Sequence, residues 1–286
     1  MRAERAAELA VRACGWLGAF LLLLVPAYLL SESAGFLRAV GLREFLLGTA
    51  WAPRAPVARF GVLPLLAGTL LTTGVAMAVA LPVGTLAALY LSEGPPGPLK
   101  GAGHVALRTA AALPPVVIGL MGRTYVAPAL AAFLGLPDGH TALAAGLCLA
   151  AVVLPTYTLL AAGVLREVPQ ALREAAASLG ATPWEVAVRA VLPAGAPGLR
   201  AVAALAAARA AGETMVVLMV AGSRPDAPGL LRGVEPLSAA IAWEMGEAPA
   251  GSLHRQSLFA LGLVLLAIGL LLHAAAGRWW LRREGA

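Results

Sequence analysis

Four stretches of the chain run without a charged side chain for long enough to cross a bilayer. They cover 13–31 (19 positions), 60–92 (33), 139–165 (27) and 256–277 (22), against a requirement of about 20 predominantly apolar residues per spanning helix. Two further apolar stretches carry charges inside them: 109–137 holds Arg123, and 201–223 holds Arg209 and Glu213. The pattern predicts an all-α, six-span polytopic membrane protein, one transmembrane domain over 1–286. The spans are expected at about 13–31, 63–91, 108–134, 141–165, 198–222 and 256–277, with a long loop at 166–197. The first apolar run is longer than the 7–15-residue core of a signal peptide and no small-residue cleavage site follows it, so it reads as a retained helix.

Composition agrees with this picture. The 286 residues are 60% hydrophobic and only 13% charged, with a mean hydropathy of +0.82. A soluble chain this apolar could not cover its surface with polar groups, which excludes an ordinary cytosolic enzyme. The excess of 21 basic over 15 acidic residues fits basic loops on the cytoplasmic side. Placing both termini inside puts twelve basic residues there, among them Lys100, Arg108, Arg166, Arg173 and Arg189. Seven then lie outside: Arg38, Arg43, Arg54, Arg59, Arg224, Arg232 and Arg255. The scattered basic residues, without aromatic interleaving, argue against nucleic-acid binding. Cys14 and Cys148 lie within apolar runs and are expected to be buried free thiols. His104, His140, His254 and His273 show no metal-ligand spacing, and no nucleophile–base constellation is visible.

Prolines recur inside the apolar runs at Pro26, Pro82, Pro114, Pro115 and Pro155. Each removes a backbone donor and kinks a helix, and kinked helices around a pathway suit a transporter. Pro114 and Pro115 are the candidate hinges of the third span. In the fifth, Arg209 and Glu213 are four residues apart, which on a continuous helix places them on one face. A charge at mid-bilayer costs about 2.5–3.5 kcal/mol on insertion scales and normally faces a bundle interior or a pathway. The pair reads either as an ion pair locking the bundle or as pathway chemistry, with Arg209 attracting an anion and Glu213 holding it between transport events. Arg123 reads as a second anion contact or as a side chain snorkelling toward the headgroups. The outer arginines Arg38, Arg43, Arg54 and Arg59 are solvated loop charge or steer an anion inward.

The loop 166–197 has the densest local signals. Pro169 opens a first helix with apolar positions at Leu172, Ala175, Ala176 and Leu179, and Gly180 stands where a left-handed C-terminal cap is needed. Thr182, Pro183 and Glu185 form a capping box for a second helix with a Trp184–Val188–Val191 stripe, expected to end at Leu192–Pro193. Such a unit either packs on its own bundle or docks into a groove of a soluble partner.

The run EAAASLGATPWEVAVRAVLP resembles the EAA motif of ABC importer permeases, through Glu174, Ala175, Ala176, Gly180, Leu192 and Pro193. The stretches 47–73, 112–120, 209–222 and 240–263, above all RAAGETMVVLMVAG, resemble the C-type permeases of phosphate importers, and the likeness covers about 45–275. Arg123 departs from that pattern, which usually has an apolar or aromatic residue there. The resemblance implies an inner-membrane permease of a prokaryote that forms half of the translocation pathway. It implies a sister permease, two ATP-binding subunits docked at Glu174, Ala175, Ala176, Gly180 and Pro193, and an extracytoplasmic phosphate-binding protein. ATP and magnesium would sit on the partner ATPase. This chain holds no GxxxxGK[ST] phosphate loop, so it is expected to bind no cofactor and to hydrolyse nothing itself. The resemblance also implies a part for Arg209 and Glu213 in transport. The alternatives are a permease for molybdate, tungstate or sulfate, a gradient-driven carrier, and a membrane scaffold in phosphate sensing.

Overall fold

The structure, a computed structural model, describes the backbone of residues 2–225 and 228–284, and the side chains of 8–9, 11–225 and 228–278. Among the described residues it contains six helices long and apolar enough to cross a membrane. Helix α1 (Arg2–Val40) leads through the short α2 (Leu42–Leu47) and a two-residue antiparallel pair, β1 (Trp51–Ala52) with β2 (Arg59–Phe60), into α3 (Leu63–Glu93). A separate α4 (Pro98–Ala111) precedes the third spanning unit, α5 (Pro115–Met121) and α6 (Ala127–Leu134) joined by one π turn at Gly122–Val126. The fourth span is α7 (Ala142–Arg166), followed by α8 (Gln170–Ser178). The fifth is a continuous helical run, α9 (Pro183–Glu185), a π turn at Val186–Val191 and α10 (Leu192–Ala211). Then come α11 (Met215–Val220), α12 (Leu237–Glu244) and α13 (Leu253–Glu284).

The centre of the bundle is α3 packed on α7, and small residues make it possible. Ala76, Ala80, Gly84 and Ala88 recur every fourth residue along α3 and are all buried, a spacing that lets helix backbones approach closely. A side chain at Gly84 would collide with the ring of Tyr157, and one at Gly146 with Val75. Thr85 and Tyr157 hydroxyls, 2.7 Å apart, bond across the same interface. Gly119 and Gly122 do the equivalent for the third span, pressed against Met219 and Val216 of α11 and Cys148 of α7.

Proline accounts for most departures from the expected spans. The third span begins at Pro115 rather than near 108, because Pro114 is held extended (ψ 131°) by the proline after it and Pro115 takes the first helical position. These two prolines stand at the start of that helix, after the separate α4 to which Arg108 belongs. Each π turn ends two residues before a proline. The Ala127 N–H reaches back five residues to Gly122 O, and the Leu192 N–H to Ala187 O. The residues that follow are Pro128 and Pro193. A proline ring clashes with the carbonyl four residues back, and widening the turn by one residue removes that clash without breaking the helix. The fifth span therefore starts at Pro183 and runs through Leu192–Pro193, where a helix end was expected. It stops at Ala211 instead of continuing to 222.

Helix α1 meets α13 along its second half, where Ser33 and Phe36 are buried and Tyr28 meets Phe259 edge to face. Its earlier described side chains, including Trp16, Phe20 and Leu21–Leu24, are exposed within this chain. Cys14 is on that stretch and is exposed, whereas Cys148 is buried; both are free.

Candidate functional site: a capped helix corner and a broken fifth span

At one end of the bundle α8 and α9 meet in a corner whose geometry follows from its residues. Gly180, at φ +85°, donates to Ala177 O at 2.9 Å, and the next N–H, of Ala181, donates to Ala176 O at 3.3 Å. That pair of bonds is the Schellman motif, open here because glycine pays no Cβ penalty. Thr182 then caps α9: its backbone N–H and hydroxyl both donate to Glu185 Oε2 at 3.0 Å, and its hydroxyl oxygen accepts from the Glu185 N–H at 3.3 Å. With Pro183 in the first helical turn, the predicted capping box is complete.

One side chain that sequence reading missed ties the corner to the bundle. Arg173 forks onto Glu93 at the end of α3, Nε to Oε2 at 3.0 Å and Nη2 to Oε1 at 2.9 Å. It also donates to Leu165 O at 2.9 Å and to Val168 O. Both charged groups are largely buried, and the hydrogen bond to Glu93 holds the guanidinium pKa above its ordinary value. A partner 80 residues away is not legible in local sequence, although an arginine beside an EAA run is a signal worth testing. Nearby, Arg166 bonds Leu91 O at 3.1 Å and stands 2.6 Å from His104 Nε2. Burial, then Arg166, Arg108 and Lys100, keep the His104 pKa below its usual value.

No residue of α8 is buried. Glu174 and Ala175 are exposed, Ala176 is half-buried, and Pro193 is exposed on the fifth span. Leu179 is 89% exposed and Trp184 64%. Trp184 borders a cavity of about 260 Å³ with Leu86, Tyr90 and Glu93. The corner is thus rigid in backbone, anchored by charge and uncovered on its apolar side.

Some 30 residues along the same helix the second candidate region begins. Arg209 is in the last turn of α10; Gly212, Glu213 and Thr214 then interrupt the helix before α11. The expectation that Arg209 and Glu213 share a helix face fails here, because the intervening Gly212 ends the helix and the carboxylate turns to its own backbone. Glu213 Oε1 accepts the N–H groups of Thr214 and Met215, each at 3.1 Å, and Glu213 O accepts the buried Ser238 hydroxyl at 2.8 Å. There is no ion pair between Arg209 and Glu213 among the described residues. Arg209 has no hydrogen-bond partner there either; it borders a cavity of about 190 Å³ with Thr156, Tyr157 and Leu160 of α7. Arg123, in the first π turn, is exposed and likewise without a partner. The two arginines lie in different elements.

The histidines are not isolated at the far end of the bundle. His254 Nε2 stands 2.5 Å from Glu244 Oε2, and Trp51 Nε1 donates to Glu244 Oε1 at 2.9 Å. That buried group joins β1, α12 and the start of α13 and supplies Glu244 with a structural role that its sequence did not indicate. Glu247 pairs with Arg54 at the surface.

Comparison with known proteins places this architecture. Residues 80–278 match the family described as binding-protein-dependent transport system inner membrane component. The phosphate transport system permease protein PstC of Mesorhizobium japonicum is 34% identical over 263 residues, covering 85% of this chain and 79% of its own. PstC 1 of Mycobacterium tuberculosis is 32% identical over 308 residues, covering 93% and 91%. A probable ABC transporter permease, YqgH of Bacillus subtilis, is 33% identical over 231 residues, covering 80% and 74%. In fold, the chain superposes on a solved structure of the MetNI methionine ABC transporter in an inward-facing conformation. The TM-score is 0.56 at 21% identity, covering 76% of this chain and 92% of that one. The chain belongs to the binding-protein-dependent transport system inner membrane components, the multi-pass permease subunits of ABC importers.

Proposed function

We propose that this permease carries phosphate, pairing with a sister permease to enclose the pathway and receiving the anion from a soluble binding protein on the outer face. Both termini and the α8–α9 corner face the cytoplasm, where the corner seats an ATP-binding subunit that supplies the nucleotide and its magnesium. The observation that carries the reading is the corner itself: a Schellman-capped, charge-anchored pair of helix ends with Leu179 and Trp184 uncovered, joined without a loop to the helix that carries Arg209. The phosphate transport names of relatives 32–34% identical over most of the chain support the cargo.

In this reading Arg209 offers the anion a guanidinium that no carboxylate occupies. Glu213 has a different part: it fixes the first turn of α11 and the break beside Arg209, so that the helix end keeps its geometry as the bundle moves. Arg123 extends the basic lining on the third span. Alternating access then follows from closure of the ATPase pair pulling on Glu174, Ala175, Ala176 and Gly180, with Pro193 inside the helix that transmits the motion.

The test is uptake into proteoliposomes holding this chain, its sister permease and the ATPase, with binding protein outside and ATP inside. Phosphate uptake that needs both ATP and binding protein, and resists molybdate and sulfate, is the expected result. Uptake without ATP replaces the reading with a gradient-driven carrier; ATP-dependent uptake of a competitor keeps the machine and changes the cargo.

A further inference from the structure

At the end of the bundle opposite the corner, the segment after α11 folds back onto the start of α7. Gly222 (φ +89°) and Ser223 (φ +45°) turn the chain there, and Ser223 is the only non-glycine residue with a positive φ among the described residues, an uncommon conformation for a residue with a side chain. Backbone bonds hold the turn. The Val234 N–H donates to Ala221 O at 2.8 Å, and the Ala142 and Leu143 N–H groups at the start of α7 donate to Arg232 O and Leu230 O at 3.0 and 2.9 Å.

Two arginine stems are laid over glycines of this segment. A Cβ at Gly233 would stand 3.3 Å from Arg224 Cδ, and one at Gly229 would stand 3.5 Å from Arg232 Cδ. Arg224 and Arg232, with Asp138 and His140 from the chain before α7, border a cavity of about 300 Å³. Neither guanidinium makes a hydrogen bond or a close ion pair among the described residues, although Arg224 is near enough to Asp138 to act on it through charge. The one carboxylate of this group is already engaged, since Asp138 Oδ1 accepts the His140 N–H at 2.9 Å and stands 2.7 Å from His140 Nδ1. Two planar, donor-rich cations with restrained stems and no hydrogen-bonded acceptor among the described residues, around a recess rather than on a flat face, match the needs of an oxyanion.

We propose that Arg224 and Arg232 form a receiving subsite for a tetrahedral oxyanion at the mouth of the pathway, occupied before the anion reaches Arg209. The placement at the outer mouth rests on the import direction argued above. Its cation pair raises the local anion concentration where the binding protein lets go, an effect that salt suppresses.

The test uses the assembled transporter in liposomes without binding protein, labelled with phenylglyoxal and read arginine by arginine by mass spectrometry. Inorganic phosphate is expected to protect Arg224 and Arg232 and to leave the exposed outer residues Arg38 and Arg59 reactive. Absence of protection overturns the proposal. So does protection that appears only when binding protein is added without phosphate, because the arginines are then a docking contact. In uptake assays at low salt, the Arg224→Gln/Arg232→Gln pair is expected to lose about tenfold in rate, the Arg224→Lys/Arg232→Lys pair to keep most of it, and high salt to erase the difference. An unchanged rate in the glutamine pair also overturns the subsite. Should the wild-type transporter carry sulfate or molybdate instead, the phosphate reading falls alone: the subsite stands if that anion protects the two arginines and falls if it does not.

Discussion

At the end of the bundle that carries β1, β2 and α12, an aromatic cluster forms a closed core. Phe36, Phe45, Trp51 and Phe60 are buried edge to face, with ring centroids 5.2–6.1 Å apart, and Glu244 is enclosed with Trp51 and His254. At the other end the backbone is just as well determined, yet Leu179 and Trp184 stand in the open. The first end holds a packed aromatic core, with Trp243 of α12 the large ring it leaves exposed; the second has stabilised its frame with arginine and glycine and carries its large apolar side chains uncovered. Fixed backbone plus exposed apolar side chains is the arrangement expected of a docking element, since preorganisation lowers the entropy lost on association.

The contrast can be broken most strongly at the closed end. Phe36→Ala empties a site with no exposure and should cost about 3–5 kcal/mol, read as a fall in thermal midpoint in lipid nanodiscs; a midpoint within error of wild type would show that the aromatic cluster is not a core. Glu244→Ala should destabilise by a different route, leaving the Trp51 and His254 donors buried without an acceptor at about 1–3 kcal/mol each. At the corner, Arg173→Ala should cost about 1.5–3 kcal/mol locally and lower phosphate moved per ATP hydrolysed. Arg173→Lys should not restore that ratio, because an ammonium cannot reproduce the two-pronged bond to Glu93.

Leu179→Ala sharpens the comparison by dissociating its two sides. The thermal midpoint should move by less than the equivalent of about 0.5 kcal/mol, while affinity for the ATP-binding subunit falls by about 1–2 kcal/mol. The smallest effect concerns pH. His104 has its pKa lowered in the folded protein by burial and by Arg166, Arg108 and Lys100, so the unfolded chain takes up the proton first. The contribution of His104 to stability is therefore unchanged above about pH 6.5 and is lost as the pH falls below it. Hydrogen exchange of α4 should accelerate over that range in the wild type, and His104→Gln should flatten the response.

What the sequence made legible was whatever depends on neighbours in the chain. Uncharged runs located the spans, and Gly180, Thr182, Pro183 and Glu185 spelled out the corner because a cap is a matter of four or five consecutive residues. The missed pairings needed information from elsewhere in the chain. Arg173 and Glu93 lie 80 residues apart and Trp51 and Glu244 lie 193 apart, so neither pairing has a local signature. The four-residue spacing of Arg209 and Glu213 misled because Gly212 ends the helix between them. Pro193 was expected to end a helix, and it is instead absorbed by one wide turn, as Pro128 is in the third span. The small-residue ladder Ala76, Ala80, Gly84, Ala88 was open to inspection and went unused, since uniform apolarity hides which face meets a partner.

The π turn at Val186–Val191 has a consequence of angle. Successive residues of an α-helix are about 100° apart around the axis, so one residue taken up in a wide turn rotates everything after it by roughly that amount relative to everything before. Trp184 and Arg209 sit on either side of this phase shift, on a rod about 40 Å long by its 29 residues. Deleting one residue from the wide turn would preserve the length and composition of the rod almost unchanged while turning Arg209 away from Tyr157 for any given seating of Trp184. The azimuth between docking surface and anion contact is thus set by a single residue's worth of helix.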